Sequence, residues 1–146
     1  MSANISKKNH EGYPDPTAYE ALTKIQREER AKASSYRPLV YICSPFAGDI
    51  EQNILNARQY CRFAVGRGAV PFAPHLLYPQ FMDDRDEEER SLGMDFGSIW
   101  LGKCDELWAF GGFHSQGMRQ EMATACKRGV LIRFFNKQCE EVLAWP

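Results

Sequence analysis

The sequence lacks the features that mark membrane proteins, secreted proteins and proteins that coat nucleic acid. No apolar run among its 146 residues is long enough to span a bilayer, and the N-terminus has no signal-peptide pattern. The formal net charge is only −1, which argues against a surface for polymeric nucleic acid. We therefore expect a cytoplasmic protein with neither a membrane nor a nucleic-acid partner.

Motifs for common cofactors are also missing. The five cysteines form no CxxC pair and have no zinc-ligand spacing, so buried free thiols are expected. No GxxxxGK[ST] sequence is present and no GxGxxG follows the first predicted strand, which disfavours nucleoside triphosphate hydrolysis and ordinary dinucleotide binding. His75 and His114 lack a third ligand at a sensible spacing, so we predict no metal.

What the sequence does contain is an alternation of strands and helices. Apolar, β-prone runs predict strands at residues 39–43, 69–73, 107–110 and 130–135. Helical periodicity is found at residues 50–66 and 87–103 and after residue 117, and residues 138–145 suggest a short closing helix. This alternation predicts an α/β fold: a flavodoxin- or Rossmann-like parallel sheet of four or five strands with helices on both faces.

The N-terminal region differs in character from the rest. Thr17 and Glu20 fit a capping box, which predicts a helix from there to about residue 33. Its narrow apolar stripe (Tyr19, Leu22 and Ile25) suggests packing on the edge of the domain or on another subunit. We therefore divide the chain into an N-terminal arm and helix, residues 1–36, and a single domain, residues 37–146.

Three predicted loops follow strands and should meet. In parallel α/β sheets the ligand lies at the carboxyl ends of the strands, near the switch in strand order. Residues 44–49, 74–81 and 111–117 would converge there, and we interpret them as the walls of one pocket that includes His75. The charge run at residues 83–90 is predicted to be a solvated loop and a first helical turn.

Three residues in or beside these segments can carry chemistry. Glu121 lies early in the helix after the third loop, where it is either a nucleophile beside a polar ligand or an acid that complements the helix dipole. Asp95 lies among apolar helical residues, and burial would raise its pKa; an exposed position is the alternative. Tyr41 can hydrogen-bond a carboxylate or serve as a core aromatic. A carboxylate pair of this kind is what glycosidic cleavage with a covalent intermediate requires.

Two motifs resemble those of the nucleoside 2-deoxyribosyltransferase superfamily, which includes the 2′-deoxynucleoside 5′-phosphate N-hydrolases. They are YICSPFAGD at residues 41–49 and CDELWAFGGFHSQGMRQEMATACKRG at residues 104–129, with an Asp-bearing helix between them. The resemblance covers roughly residues 39–133. It implies cleavage of an N-glycosidic bond or transfer of a deoxyribosyl group on a nucleoside or nucleotide. It also implies that no cofactor is needed and that the chain assembles as a homo-oligomer, a dimer or larger.

The resemblance further implies roles for individual residues. Glu121 matches the nucleophile, Asp95 the acid that serves the departing base, and Tyr41 the residue that orients the nucleophile. The sugar's 5′ end or 5′-phosphate would lie against Ser115, Gly117 and the amide of Met118. The base side would be lined by Ser44, Pro45, Phe46 and Gly48.

Two questions stay open at this point. No Arg or Lys lies between the first strand and Arg58, where the phosphate-preferring hydrolases carry a basic residue, so a required 5′-phosphate is in question. The alternative function is a non-catalytic protein that holds a nucleotide or a nucleotide-derived signal in the same pocket. Which base is cleaved, and whether water or a second base accepts the sugar, is equally open.

Overall fold

A computed structural model describes residues 21, 23–26, 36–112 and 114–143. The chain divides into two compact units, residues 1–37 and 38–146. In the first unit, residues 21 and 23–26 are helical, within the predicted N-terminal helix. The rest of that predicted helix, including Tyr19 and Leu22 of its apolar stripe, lies outside the described residues.

The second unit contains a five-stranded sheet. Its strands are β1 (Leu39–Cys43), β2 (Val70–Phe72), β3 (Glu106–Phe110), β4 (Leu131–Phe135) and β5 (Glu141–Val142), in the order β2-β1-β3-β4-β5. Strands β1 to β4 are parallel to one another, and β5 is antiparallel to β4. Pro71 lies in β2, an edge strand, where a residue without an N–H group is tolerated.

Helices cover both faces of this sheet. They are α1 (Ile50–Gly66), α2 (Pro74–Leu77), α3 (Glu87–Leu101) and α4 (Gln116–Lys127), with a 3-10 turn at Tyr78–Gln80 after α2. The side chains of Asp49, Asp86 and Ser115 accept backbone N–H groups at the starts of α1, α3 and α4, which defines where each helix begins. The predicted α/β sheet with helices on both faces is confirmed. No helix within the described ranges is long and apolar enough to cross a membrane.

The predicted closing helix at residues 138–145 is wrong. The Asn136 side chain accepts the N–H groups of Gln138 and Glu140, which closes a turn of the kind that asparagine favours. Cys139 has a φ of 62°, outside the helical range, and the chain then enters β5. Residues 144–146 lie outside the described part.

Alternation along β1 separates two hydrophobic cores. Tyr41 and Cys43 point to the face covered by α3 and α4, where they pack with Leu101 and Met118. Val40 and Ile42 point to the opposite face and pack with residues of α1. Because β2 and β3 lie on opposite sides of β1, the strand order switches between β1 and β3, and the candidate site lies beyond that point.

Candidate active site

A cavity of about 340 Å³ lies at the carboxyl ends of β1 and β3. Its walls come from the loop after β1, from α2 and the 3-10 turn, from the loop before α3, from one face of α3 and from α4 as far as Thr124. All three loops that the sequence predicts to converge contribute to it, through Phe46, His75 and Ser115 among others. The strands bring these loops together because parallel β1 and β3 end at the same edge of the sheet.

Tyr41 and Glu121 meet at the base of this cavity. The Tyr41 hydroxyl donates a short hydrogen bond to Oε2 of Glu121, across 80 residues of sequence. Both side chains line the cavity, and Tyr41 is otherwise buried against the ring of Phe72, with ring centroids 5.8 Å apart. The hydroxyl therefore approaches the carboxylate from a fixed ring, which limits how the carboxylate can turn.

Burial raises the pKa values of both Glu121 and Tyr41. It raises the pKa of Glu121 to about 7, although hydrogen bonds from Tyr41 and Cys43 act in the opposite direction. Burial, and then the charge of Glu121, raises the pKa of Tyr41 well above its usual value. Tyr41 therefore remains a neutral donor, whereas Glu121 gains or loses its charge near neutral pH.

Glycine on α3 makes room for the Tyr41 hydroxyl. A Cβ atom at Gly97 would lie 2.9 Å from that hydroxyl oxygen, closer than side chains pack. Gly93, one turn earlier, lines the cavity, and a Cβ atom there would meet nothing within 4 Å. Since residues four apart share one face of a helix, Gly93, Gly97 and Leu101 form the inner face of α3.

Of the two alternatives for Asp95, the structure has the exposed one, so the expected carboxylate pair of Asp95 and Glu121 does not form in the cavity. Asp95 is exposed and does not line the cavity. It lies two residues from both Gly93 and Gly97, which places it about 200° around the helix from the inner face. The apolar neighbours that suggested burial, Leu92 and Ile99, are themselves 46% and 56% exposed.

Other carboxylates line the cavity instead. Asp83, Asp84 and Glu89 all come from the charge run that the sequence predicts to be solvated. Asp83 pairs with Arg85, and Glu89 accepts the backbone N–H of Asp83. No spacing within residues 83–90 distinguishes these acids from solvent-facing ones. They follow the 3-10 turn Tyr78–Gln80, which itself contributes Tyr78 and Pro79 to the cavity wall.

Phe46 and His75 form an aromatic pair on another wall. Their rings stack with centroids 4.8 Å apart and planes at 22°. Burial lowers the pKa of His75 to about 4, although Asp84 and a hydrogen bond with the Ser44 backbone favour the charged form. His75 is therefore neutral at neutral pH, and the pair offers an uncharged, flat surface against which a planar ring can pack.

The N-terminus of α4 closes the cavity on a further side. The Ser115 Oγ accepts the Met118 N–H at 3.2 Å, and Ser115, Gly117 and Met118 all line the cavity. The first turn of a helix has N–H groups without intrahelical partners and lies at the positive end of the dipole. This wall therefore favours a polar or anionic group.

Several residues predicted for the base side are not in the cavity wall. Ser44 is buried away from it, and its Oγ has no hydrogen-bond partner among the described residues. Pro45 packs beside Gly111, and Gly48 is exposed with a φ of 96°. Because the chain turns at Gly48 towards α1, only Phe46 of this predicted set lines the cavity. His114, which lies in the third predicted loop, is not in the cavity wall either; its ring lies against the ring of Phe134.

Within residues 36–112 and 114–143, no three His, Cys, Asp or Glu side chains are grouped as metal ligands.

A family model described as "Domain of unknown function (DUF7768)" matches residues 38–135. The chain belongs to this family. The match spans β1 to β4 and every residue that lines the cavity, so the cavity belongs to the DUF7768 domain itself.

Comparison with curated proteins gives no match. Among solved structures, a 2-deoxyribosyltransferase from the psychrotolerant bacterium Bacillus psychrosaccharolyticus is similar, with a TM-score of 0.53 and 18% sequence identity. The similarity covers 72% of this chain and 76% of that one. The DUF7768 domain therefore shares the α/β fold of a deoxyribosyltransferase.

Proposed function

We propose that this protein cleaves the N-glycosidic bond of a nucleoside or nucleotide, or transfers its deoxyribosyl group, through a covalent glycosyl intermediate on Glu121. The observation that carries the proposal is the Glu121 carboxylate in the cavity, with one oxygen held by the Tyr41 hydroxyl. The fold shared with a 2-deoxyribosyltransferase supports this choice of reaction.

The reaction needs two displacements at one carbon. A carboxylate oxygen of Glu121 attacks the anomeric carbon, the bond to the base nitrogen breaks, and its electrons leave with the base, which takes up a proton. Water or a second base then attacks the same carbon of the glycosyl ester and releases the carboxylate. Tyr41 orients the nucleophile during the first step. The sugar's 5′ end faces Ser115, Gly117 and Met118 at the N-terminus of α4.

Asp84 is our candidate for the group that supplies the proton to the base. Among the acids from residues 83–90 that line the cavity, Asp83 is paired with Arg85 and Glu89 accepts a backbone N–H, whereas Asp84 has no hydrogen bond in the described part of the chain. Asp84 also acts on His75, so a base packed on the Phe46–His75 pair would lie near it. Asp84→Asn should slow base release more than Asp83→Asn, its matched control.

The direct test is incubation of the protein with deoxynucleosides and with deoxynucleoside 5′-monophosphates, followed by chromatography of the free base. Glu121→Gln should reduce release by on the order of a thousandfold or more, because the nucleophile is lost. Asp95→Asn is the matched control, since Asp95 is exposed and outside the cavity, and it should retain activity. Release that survives Glu121→Gln would reject the proposal.

A second measurement looks for the intermediate itself. Intact-protein mass spectrometry after rapid acid quenching should show a mass increase of one deoxyribosyl group, which peptide mapping should assign to Glu121. The two substrate sets in the base-release assay also decide whether a 5′-phosphate is needed.

A non-catalytic role is favoured by one observation. The acid that the sequence predicted as the partner of Glu121 is exposed, outside the cavity. In that case the cavity would hold a nucleoside, a nucleotide or a nucleotide-derived signal without cleaving it. A rise in melting temperature with such a ligand, combined with no base release over a long incubation, would favour this function.

A further inference from the structure

Strand β1 presents two side chains to Glu121. Tyr41 and Cys43 are two residues apart, so they point to the same face of the sheet. Tyr41 bonds Oε2 of Glu121, and the Cys43 Sγ lies 3.4 Å from Oε1. We propose that Cys43 is a positioning residue, whose thiol holds the second oxygen of Glu121 and stabilises its carboxylate form.

The Cys43 thiol is in the state that this role needs. Burial, followed by the nearby charge of Glu121, raises the pKa of Cys43 well above its usual value, so the sulfur keeps its proton and can donate it. The other acceptor within reach is the Met118 carbonyl oxygen, at 3.9 Å. The thiol proton is therefore directed to the closer and more strongly accepting carboxylate oxygen.

No cation offsets the charge of Glu121 within the described ranges. The other titratable side chains that line the cavity are His75, Tyr78, Asp83, Asp84, Glu89 and Arg90. None of these six bonds to the carboxylate, and Cys104 acts on Tyr41 from the core below. The charged form is held by two neutral donors from one strand, so the loss of either should raise the pKa of Glu121.

Two donors on different oxygens also fix the plane of the carboxylate. With Tyr41 alone, the group could rotate about the line of a single hydrogen bond. The Cys43 thiol, at the other oxygen, removes that freedom. Fixed orientation of a nucleophile lowers the entropic part of the barrier to attack.

The positioning role rests on the proposed function. Its main test measures stability and not enzymatic activity, so a negative result for Cys43 can be told apart from an absence of base release. The unfolding free energy is measured against pH with and without Glu121→Gln, in the wild-type and in the Cys43→Ala background. In each background, the difference in unfolding free energy between the proteins with Glu121 and with Glu121→Gln, followed against pH, reports the titration of Glu121. We expect its midpoint to rise by roughly 0.5 pH unit or more in Cys43→Ala and to return in Cys43→Ser, which restores a donor.

Control variants separate positioning from packing. Cys104→Ala removes another buried thiol from the same core without removing a bond to Glu121, and should leave the midpoint unchanged. If Cys43→Ala fails to fold, Cys43→Val replaces it, because valine fills the volume of the thiol without a hydrogen-bond donor. The midpoint of the Glu121 titration should rise by the same amount in this variant. If base release is observed, the pH midpoint of kcat/KM should move in the same direction. An unshifted Glu121 midpoint in Cys43→Ala or Cys43→Val would overturn the proposal.

Discussion

The carboxylate of Glu121 lies in a buried setting in which its charged form is disfavoured. Its pKa in the folded protein is raised from 4.5 to about 7, so the folded state binds this proton more tightly than the unfolded state does. The stability contributed by the bound proton is fully present below about pH 4.5. It is lost as the pH rises through about 7, the range in which Glu121 becomes a nucleophile.

Glu121→Gln should therefore change how stability depends on pH. Between pH 5 and pH 8 the wild-type protein should lose about 2–3 kcal/mol of unfolding free energy relative to the variant, because only the wild-type protein must ionise a buried carboxyl group. Denaturant titrations at the two pH values measure this difference. A free-energy gap that stays constant with pH would contradict the burial of this charge.

Gly97→Ala tests the fit between α3 and the Tyr41 hydroxyl. The added methyl group would lie 2.9 Å from that oxygen, so the hydroxyl must leave its present position, the hydrogen bond to Glu121 should be disturbed and base release should fall. We expect the overpacking to cost about 1–3 kcal/mol of unfolding free energy.

Gly93→Ala is the matched stability control on the same face of α3. Its methyl group would meet nothing within 4 Å, so only the better helix propensity of alanine remains, worth about 0.5–1 kcal/mol of added stability. Thermal or denaturant unfolding of both variants checks the pair. Equal changes in stability for the two would show that Tyr41 does not lie against Gly97.

Among the secondary-structure elements, α3 and α4 both contribute side chains to the cavity wall. The Trp100 indole of α3 donates to the Tyr78 hydroxyl at 2.8 Å and stacks on Phe72 with centroids 4.3 Å apart. These contacts fix α3 to the 3-10 turn and to β2, so the inner face of α3 keeps its direction. On α4, Ser115 both caps the helix and lines the cavity, so one side chain couples helix stability to the site.

Two capping variants separate those two effects of Ser115. Ser115→Ala and Asp49→Ala each remove a side chain that accepts a backbone N–H at the start of a helix, and each should cost about 1 kcal/mol of unfolding free energy. Only Ser115 lines the cavity, so only Ser115→Ala should also raise KM for the substrate. An equal effect of both variants on KM would indicate that loss of stability, not loss of a contact, weakens binding.

At the scale of the whole unit of residues 38–146, the two faces of the sheet have different contents. The face with α3 and α4 includes the glycines, the thiol and the carboxylate of the cavity. The face with α1 holds a cluster of stacked and tilted aromatic rings formed by Phe63, Trp108, Phe110 and Phe135. The cluster of aromatic rings and the cavity with its carboxylate therefore lie on opposite faces of the sheet.

Phe135→Ala should reveal this division. Phe135 is fully buried among the aromatic rings, and its truncation should lower the unfolding free energy by about 3–5 kcal/mol. Since a domain has only about 5–15 kcal/mol in total, much of the protein would unfold at moderate temperature. The kcat of the fraction that remains folded should match the wild-type value at low temperature. A large loss of kcat per folded molecule would show that the two faces are coupled.

The sequence by itself determined the strand and helix alternation and, through the period of two along β1, that Tyr41 and Cys43 share one face. These features depend on periodicity within a few residues, so neighbours in sequence carry the information. The order of motifs also selected Glu121 as the candidate nucleophile, which stays a prediction. The turn of Asn136 and Cys139 into β5 is local too, but short apolar runs such as 138–145 fit helix and strand alike.

Only the tertiary structure decided which side of α3 faces the cavity. That helix has one partly apolar side with Leu92 and Ile99 and another with Gly93, Gly97 and Leu101, and periodicity alone cannot choose between them. The choice depends on close packing against Tyr41 of a distant strand, which needs glycine rather than a large apolar residue. The same packing leaves Asp95 exposed and lets Asp83, Asp84 and Glu89 line the cavity, because non-local contacts position them.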